Sequence, residues 1–185
     1  MMVEVTVSIL LQMIQTLGIL VGIFYYIMTL RNAEKNRKMQ MLQRIYETKY
    51  NKEGMQAFFH IYTRTWKDFD DYLEKYGPFT HPELHAEFVA EESMLDGLGT
   101  LVKEGMIDLE SVFSLMGRRV LMFWIQFETI IKGLREMKFG PGPDYSQNFE
   151  YLANELIKIR KEKGLPLYTE YLHPTSTLDK ELNPT

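Results

Sequence analysis

The first thirty residues constrain the fold more than any other part of the chain. From Val5 to Leu30, 26 consecutive positions contain no Asp, Glu, Lys or Arg. A helix that crosses the hydrocarbon core of a membrane needs about 20 apolar residues. This segment is therefore long enough to span a membrane, and we expect it to hold the rest of the chain beside the membrane.

The charges that flank this segment predict its orientation. Only Glu4 precedes it, whereas four basic residues follow within eight positions: Arg31, Lys35, Arg37 and Lys38. The positive-inside rule then places the N-terminus outside the cell and the C-terminal domain in the cytoplasm, as a single-pass protein of the cell membrane. We expect the four basic side chains to contact lipid headgroups. The start of the chain lacks the basic region and the small-residue cleavage site of a signal peptide, so the segment is expected to be retained.

One face of this predicted helix differs from the other. At about 100° per residue, small and polar residues share one sector, while large apolar residues face away. The members of this small-polar face are Ser8, Gln12, Gln15, Gly18, Gly22, Tyr26 and Thr29. The GxxxG spacing of its two glycines allows two spanning helices to approach closely, which favours binding to another transmembrane helix. The alternative is a monomeric anchor with incidental glycines, because glycine is frequent in spanning helices.

Composition and charge exclude several classes of protein. The chain has 185 residues, enough for the span and one helical domain, and it contains no Cys, which excludes disulfides and thiolate metal sites. Residues 1–44 carry five Lys/Arg and two Glu, a net charge of +3, which leaves −7 for the remainder out of a total of −4. A domain of that charge is poorly suited to nucleic acid. The expected partners are membrane lipid and other transmembrane helices, in a homo-oligomer or a larger membrane complex.

The pattern after the span predicts an all-α protein. No Gly or Pro occurs between Arg31 and Gly54, so the single N-terminal transmembrane helix (residues 1–30) is expected to continue into a basic juxtamembrane helical stalk (31–53). A cytoplasmic helical bundle of about five helices follows (54–164), because apolar residues recur there at intervals of three and four. The last part (165–185) contains three prolines and is expected to be an extended tail.

Local signals place the helices of the bundle. Apolar and aromatic residues from Met55 to Leu73 predict one amphipathic helix that ends at Tyr76-Gly77-Pro78. The next helix is expected to start at Thr80, which forms a capping box with Glu83. Asp108 is expected to cap a short helix that Gly117 separates from a longer one over residues 118–138, the most apolar of the bundle.

A final helix is expected before the tail. Asp144 or Ser146 is the expected N-terminal cap, after the Gly-Pro-Gly-Pro sequence of residues 140–143. The helix is expected to stop at Gly164.

Three segments resemble a known family. They are residues 22–32 (GIFYYIMTLRN), residues 123–131 (FWIQFETII) and residues 149–154 (FEYLAN). These segments and their order along the chain resemble the DUF4760 family of prokaryotic membrane-anchored proteins. The resemblance covers most of residues 15–163. It implies one spanning helix followed by a cytoplasmic helical domain. The resemblance supplies no catalytic residues.

The chain offers few candidates for chemistry. His81 and His85 are four residues apart, the spacing of a helical metal-binding pair, which makes them weak candidates for a metal site. His81 directly precedes Pro82 at the start of a helix, so the two side chains are not expected to share a face, and a structural or surface role is favoured. The carboxylates of residues 68–74 and 91–96 are expected to form solvated faces rather than an acidic cleft. No phosphate loop or hydrolase motif occurs, so neither a catalytic site nor a cofactor is expected.

Two functional hypotheses follow from these patterns. The leading one is a non-catalytic, membrane-tethered helical module that binds protein partners, as an accessory subunit of a membrane complex or as a signalling adaptor. The alternative is a cytoplasm-facing small-ligand or metal-binding sensor, or an enzyme, with its site among the aromatic and acidic residues of the bundle.

Overall fold

The computed structural model describes the backbone of residues 2–168 and the side chains of residues 6–168. Six α-helices account for most of them: α1 (Met2–Tyr50), α2 (Lys52–Tyr62), α3 (Phe69–Tyr76), α4 (Pro82–Lys103), α5 (Leu109–Glu136) and α6 (Gln147–Glu162). Because no strand occurs between residues 2 and 168, the prediction of an all-α fold is confirmed. Most of the predicted tail, from residue 169 onward, lies outside the described residues.

Helix α1 carries the apolar segment. It is the one helix within residues 6–168 that is long and apolar enough to cross a membrane, and none of its most apolar window is buried. The helix continues without interruption to Tyr50, which confirms that the apolar segment and the basic stalk form one helix. The chain divides into two compact units, the first ending at Met41 and the second beginning at Leu42, so the last turns of α1 belong to the second unit.

The second unit is a bundle in which the five helices α2–α6 pack around an aromatic core. Helix α5 contributes most to it, because 14 of its 28 residues are buried, as its strongly apolar pattern predicts. The ring centroids of Phe123 and Phe127 of α5 lie 4.6 Å apart, and they lie 5.7 Å and 5.1 Å from that of Phe88 of α4. Trp124 meets Phe149 of α6 edge-to-face at 5.2 Å. These side chains exclude water from the centre of the bundle and supply most of its hydrophobic stabilisation.

The prediction of one helix from Met55 to Tyr76 is wrong in its continuity, because the chain breaks into α2 and α3, although α3 does end at Tyr76. In the connection the Arg64 side chain is buried and donates a hydrogen bond to the carbonyl oxygen of Leu84 at 2.8 Å. Trp66 is also buried there, 3% exposed. Asp68 then starts a new helix by accepting a hydrogen bond from the Asp71 backbone N–H at 2.9 Å. Tertiary burial of the connection therefore outweighs a continuous helical period.

Two further boundary predictions are wrong. Thr80 does not cap α4, because its hydroxyl donates to the carbonyl oxygen of Leu73 at 2.6 Å, and His81 takes the N-cap position without a side-chain hydrogen bond. Gly117 does not separate two helices, because it is buried inside α5. A glycine inside a helix costs about 1 kcal/mol relative to alanine, which burial of the flanking apolar residues outweighs. The predicted cap at Asp108 is confirmed, with its carboxylate 2.9 Å from the Ser111 backbone nitrogen.

Helix α6 starts in an unusual way. Ser146 occupies the N-cap position with a φ of 60°, but its side chain makes no capping bond. Asp96 of α4 serves instead, accepting from the backbone N–H groups of Asn148 and Phe149, both at 2.9 Å. The cap that the sequence predicted from residue 144 or 146 therefore comes from another helix. The predicted stop at Gly164 is confirmed by its φ of 64°.

Candidate functional site

The small-polar face of α1 lies entirely on exposed surface. All seven of its residues are exposed within the first unit. A Cβ added at Gly18 or Gly22 would meet no atom within 4 Å, so the backbone is open to close approach there. The Thr29 hydroxyl is satisfied by the Tyr25 carbonyl oxygen at 2.9 Å, so its polarity is hidden from an apolar solvent.

The predicted headgroup contacts follow on the same helix. Arg31, Lys35 and Arg37 are exposed, and Lys38 is partly exposed and pairs with Glu34 at 3.1 Å. An exposed pair of this kind contributes about 0.5 kcal/mol, too little to hold the ammonium away from an anionic surface.

A buried ion cluster lies in the second unit, where α1 ends. Glu91 of α4 and Arg119 of α5 are 3% and 4% exposed. They form a two-pronged pair, with Arg119 Nε 2.6 Å from Glu91 Oε1 and Nη2 3.0 Å from Oε2. Lys49, in the last turn of α1, binds the same carboxylate at 3.1 Å. One carboxylate thus joins the end of α1 to α4 and α5.

The remaining donors of Arg119 are also used. Its Nη1 donates to the carbonyl oxygen of Lys49 at 2.9 Å and lies 3.8 Å from the Met55 sulfur, and its Nη2 lies 3.4 Å from the carbonyl oxygen of Gly54. Its guanidinium lies over the Phe58 ring, 4.4 Å from the centroid. A guanidinium has five N–H donors, and these contacts account for all of them. Arg119 is therefore a structural residue that fixes the junction between α1 and α2.

An apolar cavity of about 330 Å³ lies against this junction. Its walls come from the end of α1, from α2 and from α5: Tyr50, Met55, Phe58, Phe59, Arg118, Arg119 and Met122. Pockets that bind small molecules begin at about 300 Å³. A second cavity of about 260 Å³ lies at the other end of α5, beside the exposed rings of Phe79 and Phe139. Of these two cavities in the described part of the second unit, the first reaches that size and the second is slightly smaller.

The comparisons identify the family. A family model described as Domain of unknown function (DUF4760) matches residues 12–156. The chain belongs to this family. The match covers most of the apolar segment, the stalk and most of the bundle of this DUF4760 protein, which confirms the resemblance noted in the sequence. No curated protein and no solved structure matches the chain.

A second polar feature of this DUF4760 bundle is a buried carboxyl, Glu92, that pairs with no cation among the described residues. Glu92 is 2% exposed, and its carboxyl interacts with the hydroxyls of Ser146 and Tyr145. Burial raises the pKa of Glu92, and the nearby Asp96 adds to this effect, while the hydroxyl contacts oppose it. Burial and the Glu92 charge also raise the pKa of Tyr145, so its hydroxyl stays protonated and can donate.

The structure gives the two histidines separate surroundings. His81 Nδ1 faces Glu83 at 3.6 Å, on exposed surface. His85 lines the 260 Å³ cavity, and its buried Nδ1 has no hydrogen-bond partner within residues 6–168. Burial lowers the pKa of His85, so the ring is neutral at pH 7. Within the described residues of this DUF4760 chain, no group of three or more His, Cys, Asp or Glu side chains is arranged to hold a metal.

The expectation that the acidic runs form solvated faces is half right. On α3, Asp70 and Glu74 are exposed, and Asp71 pairs with Lys75 at 2.8 Å. On α4 the expectation is wrong, because Glu91 and Glu92 are both buried. The two neighbours differ in that one is ion-paired and the other is held by hydroxyls. Sequence reasoning also missed Arg119, although an arginine within the apolar stripe of α5 was a signal that could have been noticed.

Proposed function

We propose that this protein is a non-catalytic, membrane-tethered helical module that binds protein partners, as an accessory subunit of a membrane complex or as a signalling adaptor. One observation carries the proposal: every side chain from residue 6 to residue 30 is exposed on an apolar helix. Water does not tolerate an exposed apolar surface of this size, so lipid or another protein must cover it.

The proposed location is the cell membrane, crossed once, with the N-terminus outside and the bundle in the cytoplasm. The basic residues just after Leu30 support this orientation through the positive-inside rule. Helix α1 also continues through charged residues to Tyr50, well past the 7–15 residue apolar core that is typical of a cleaved signal. These features favour a permanent anchor over a signal sequence.

The proposed binding surface within the membrane is the small-polar face of α1. Gly18 and Gly22 are open to a second backbone, and Gln15 can donate a hydrogen bond across such a contact. Large side chains on the opposite face, such as Leu17 and Val21, suit lipid. The neighbour is then another transmembrane helix, either of a second copy or of a different subunit.

A pair of matched double variants tests this proposal. Gly18→Ile/Gly22→Ile fills the small-polar face, whereas Leu17→Ile/Val21→Ile makes the same side chains on the lipid face. Association is measured in native membranes by energy transfer between labelled copies and by quantitative mass spectrometry of crosslinked neighbours. Interhelical contacts of this kind contribute about 1–2 kcal/mol, so the glycine variant should lose roughly tenfold in association while the control keeps it. The proposal would be contradicted if the wild-type protein were a monomer in its native membrane and no neighbour could be crosslinked to it.

A further inference from the structure

The 260 Å³ cavity opens between two loops of the second unit. Residues 77–79 (Gly-Pro-Phe) follow α3, and residues 139–141 (Phe-Gly-Pro) follow α5, so each loop places a phenylalanine beside a Gly-Pro pair. Both phenylalanines line the cavity, although Phe79 is 78% exposed and Phe139 is 81% exposed. Because the two rings belong to the wall and are also open to solvent, they mark the mouth of the cavity.

Close backbone packing holds both loops in place. A Cβ at Gly77 would lie 2.2 Å from the carbonyl oxygen of Leu73, and the Gly77 N–H donates to the same oxygen at 3.0 Å. A Cβ at Gly140 would lie 2.3 Å from the carbonyl oxygen of Leu134. The Gly140 N–H donates to the carbonyl oxygen of Met137 at 3.0 Å. The proline after each glycine has a fixed φ, so the mouth is formed before a ligand arrives and little entropy is lost on binding.

The wall of the cavity carries no formal charge. None of the described residues that line it is Asp, Glu, Lys or Arg, and its polar side chains are those of His85 and Tyr145. Burial lowers the pKa of His85, so this ring is neutral at pH 7, and the Tyr145 hydroxyl interacts with the carboxyl of Glu92. Lys138 lies 5.6 Å from the centroid of the Phe139 ring, but it does not line the cavity. An ion that entered would lose water without gaining a counter-ion, so a neutral molecule is favoured.

Rings dominate the wall and favour a flat ligand. Six of the ten described lining residues contain a ring: Pro78, Phe79, His85, Phe139, Pro141 and Tyr145. Aromatic rings pair edge-to-face or with an offset, and these contacts add to the effect of apolar burial. An apolar cavity of about 150 Å³ is enough to hold benzene. A cavity of about 260 Å³ therefore has room for one or two fused rings.

We propose that this cavity binds a small neutral aromatic molecule of one or two fused rings, about the size of indole. The ligand lies between Phe79 and Phe139 at the mouth, and it contacts the buried side chain of Leu134 in the wall. The site is separate from the small-polar face of α1, so binding does not depend on association within the membrane.

Fluorine labels at the mouth test the site. In the full chain, held in nanodiscs of zwitterionic lipid, para-fluorophenylalanine replaces Phe79, Phe139 or Phe59 one at a time, and the fluorine resonance is followed while indole is added. Phe59 is the matched control, because it is 52% exposed and lines the other cavity. The expected result is a saturable shift at positions 79 and 139 with one shared dissociation constant, and none at position 59. A saturable shift at position 59 alone, or shifts at no position or without saturation, would overturn the proposal.

Alanine variants test the contribution of the two rings. Phe79→Ala/Phe139→Ala removes both aromatic contacts at exposed positions, so the affinity for indole should fall about tenfold. Phe59→Ala should keep the wild-type affinity. Equilibrium dialysis of radiolabelled indole against these nanodiscs measures both, with protein-free nanodiscs as the blank. Equal affinities of the two variant proteins would contradict the assignment.

A pair of ligands of equal shape tests the preference for a neutral molecule. The carboxamide and the carboxylate of indole differ mainly in charge at pH 7. The carboxylate should bind about tenfold more weakly, because the wall replaces part of its water and offers no counter-ion. Equal or tighter binding of the carboxylate in the same dialysis would refute a neutral ligand.

Discussion

The apolar segment of α1 and helix α5 are both rich in large hydrophobic side chains, but their surroundings are opposite. In α1, Phe24 is 66% exposed, and no residue from 6 to 30 is buried. In α5, Phe123 is fully buried, and a charged residue, Arg119, is only 4% exposed. The apolar segment of α1 contains no charge for 26 positions and is suited to lipid, whereas α5 is suited to a protein core and buries the charge of Arg119 against that of Glu91. Apolar composition alone therefore does not define the environment of a helix.

The largest effect expected from this comparison is on truncation of a phenylalanine in each region. Phe123→Ala should lower the free energy of unfolding of the bundle by about 3–5 kcal/mol, because it leaves a cavity among packed rings. Phe24→Ala should change it by less than about 0.5 kcal/mol. Urea unfolding of the full chain in a mild detergent measures both, followed by the fluorescence of the two tryptophans, Trp66 and Trp124, which both lie in the bundle. A comparable loss of unfolding free energy in both variants would show that the two phenylalanines do not lie in opposite surroundings.

The second prediction concerns the buried charges of the bundle. Glu91→Gln leaves Arg119 buried without a counter-ion, and removing one partner of such a pair costs about 3–5 kcal/mol. We expect a loss of about 3 kcal/mol in the same urea experiment, at the lower end of that range, because the introduced amide oxygen can still accept a hydrogen bond from Arg119. The control Glu110→Gln removes an exposed carboxylate, whose side chain is 56% exposed, and should have little effect. If the two variants were equally stable, the cluster would not hold the helices together.

Substitution of two glycines of α4 by alanine should change the stability of the bundle by smaller amounts, and in opposite directions. A Cβ at Gly99 would lie 2.1 Å from the carbonyl oxygen of Asn148, so Gly99→Ala should push α6 away and destabilise the bundle by about 1–3 kcal/mol. Gly97 has open space around its Cβ position, so Gly97→Ala should stabilise by roughly 0.5–1 kcal/mol through helix propensity. The urea midpoints of the two variants should therefore move in opposite directions, and a shared direction would show that α4 and α6 are not closely packed.

The smallest effect is a pH dependence that comes from Glu92. Its pKa is raised in the folded state by burial, so its contribution to stability is present below its unfolded pKa of about 4.3 and is lost as the pH rises through the folded pKa. Glu92→Gln removes this loss, and the amide oxygen still accepts hydrogen bonds from Ser146 and Tyr145. Its unfolding free energy should exceed that of the wild type by on the order of 1 kcal/mol near pH 7, with a difference that shrinks towards pH 4. A difference independent of pH would count against a raised pKa of Glu92 in the folded state.

Much of the fold could be predicted from local signals. The absence of charge from Val5 to Leu30, the apolar period of α5 and the cap at Asp108 each depend on residues close in sequence. They predicted α1, the start of α5 and its most apolar part, but not that α5 continues through Gly117 as one helix. The break between α2 and α3 could not be predicted in this way. It depends on the burial of Arg64 and Trp66 against other helices, which periodicity within one segment does not report.

The candidate sites also differ in whether residues close in sequence predict them. The small-polar face of α1 follows from the helical period alone, so the sequence predicted its members. The pair of Glu91 and Arg119 joins residues 28 positions apart, and a charge on an amphipathic helix is usually solvated. The one sequence signal that separated Arg119 from a solvated charge was its position within the apolar stripe of α5. The cavity beside it forms where the end of α1 meets α2 and α5, an arrangement that no single segment encodes.

Labelling of single cysteines tests most directly whether α1 anchors the bundle on the cytoplasmic side of a membrane. The natural chain contains no Cys, so Glu4→Cys and Ser114→Cys each introduce one thiol, before the apolar segment and on an exposed position of α5. In intact cells a membrane-impermeant maleimide should label the Glu4→Cys protein, and it should label the Ser114→Cys protein only after permeabilisation. Labelling of Ser114→Cys in intact cells, or recovery of the wild-type chain in the soluble fraction, would contradict this account.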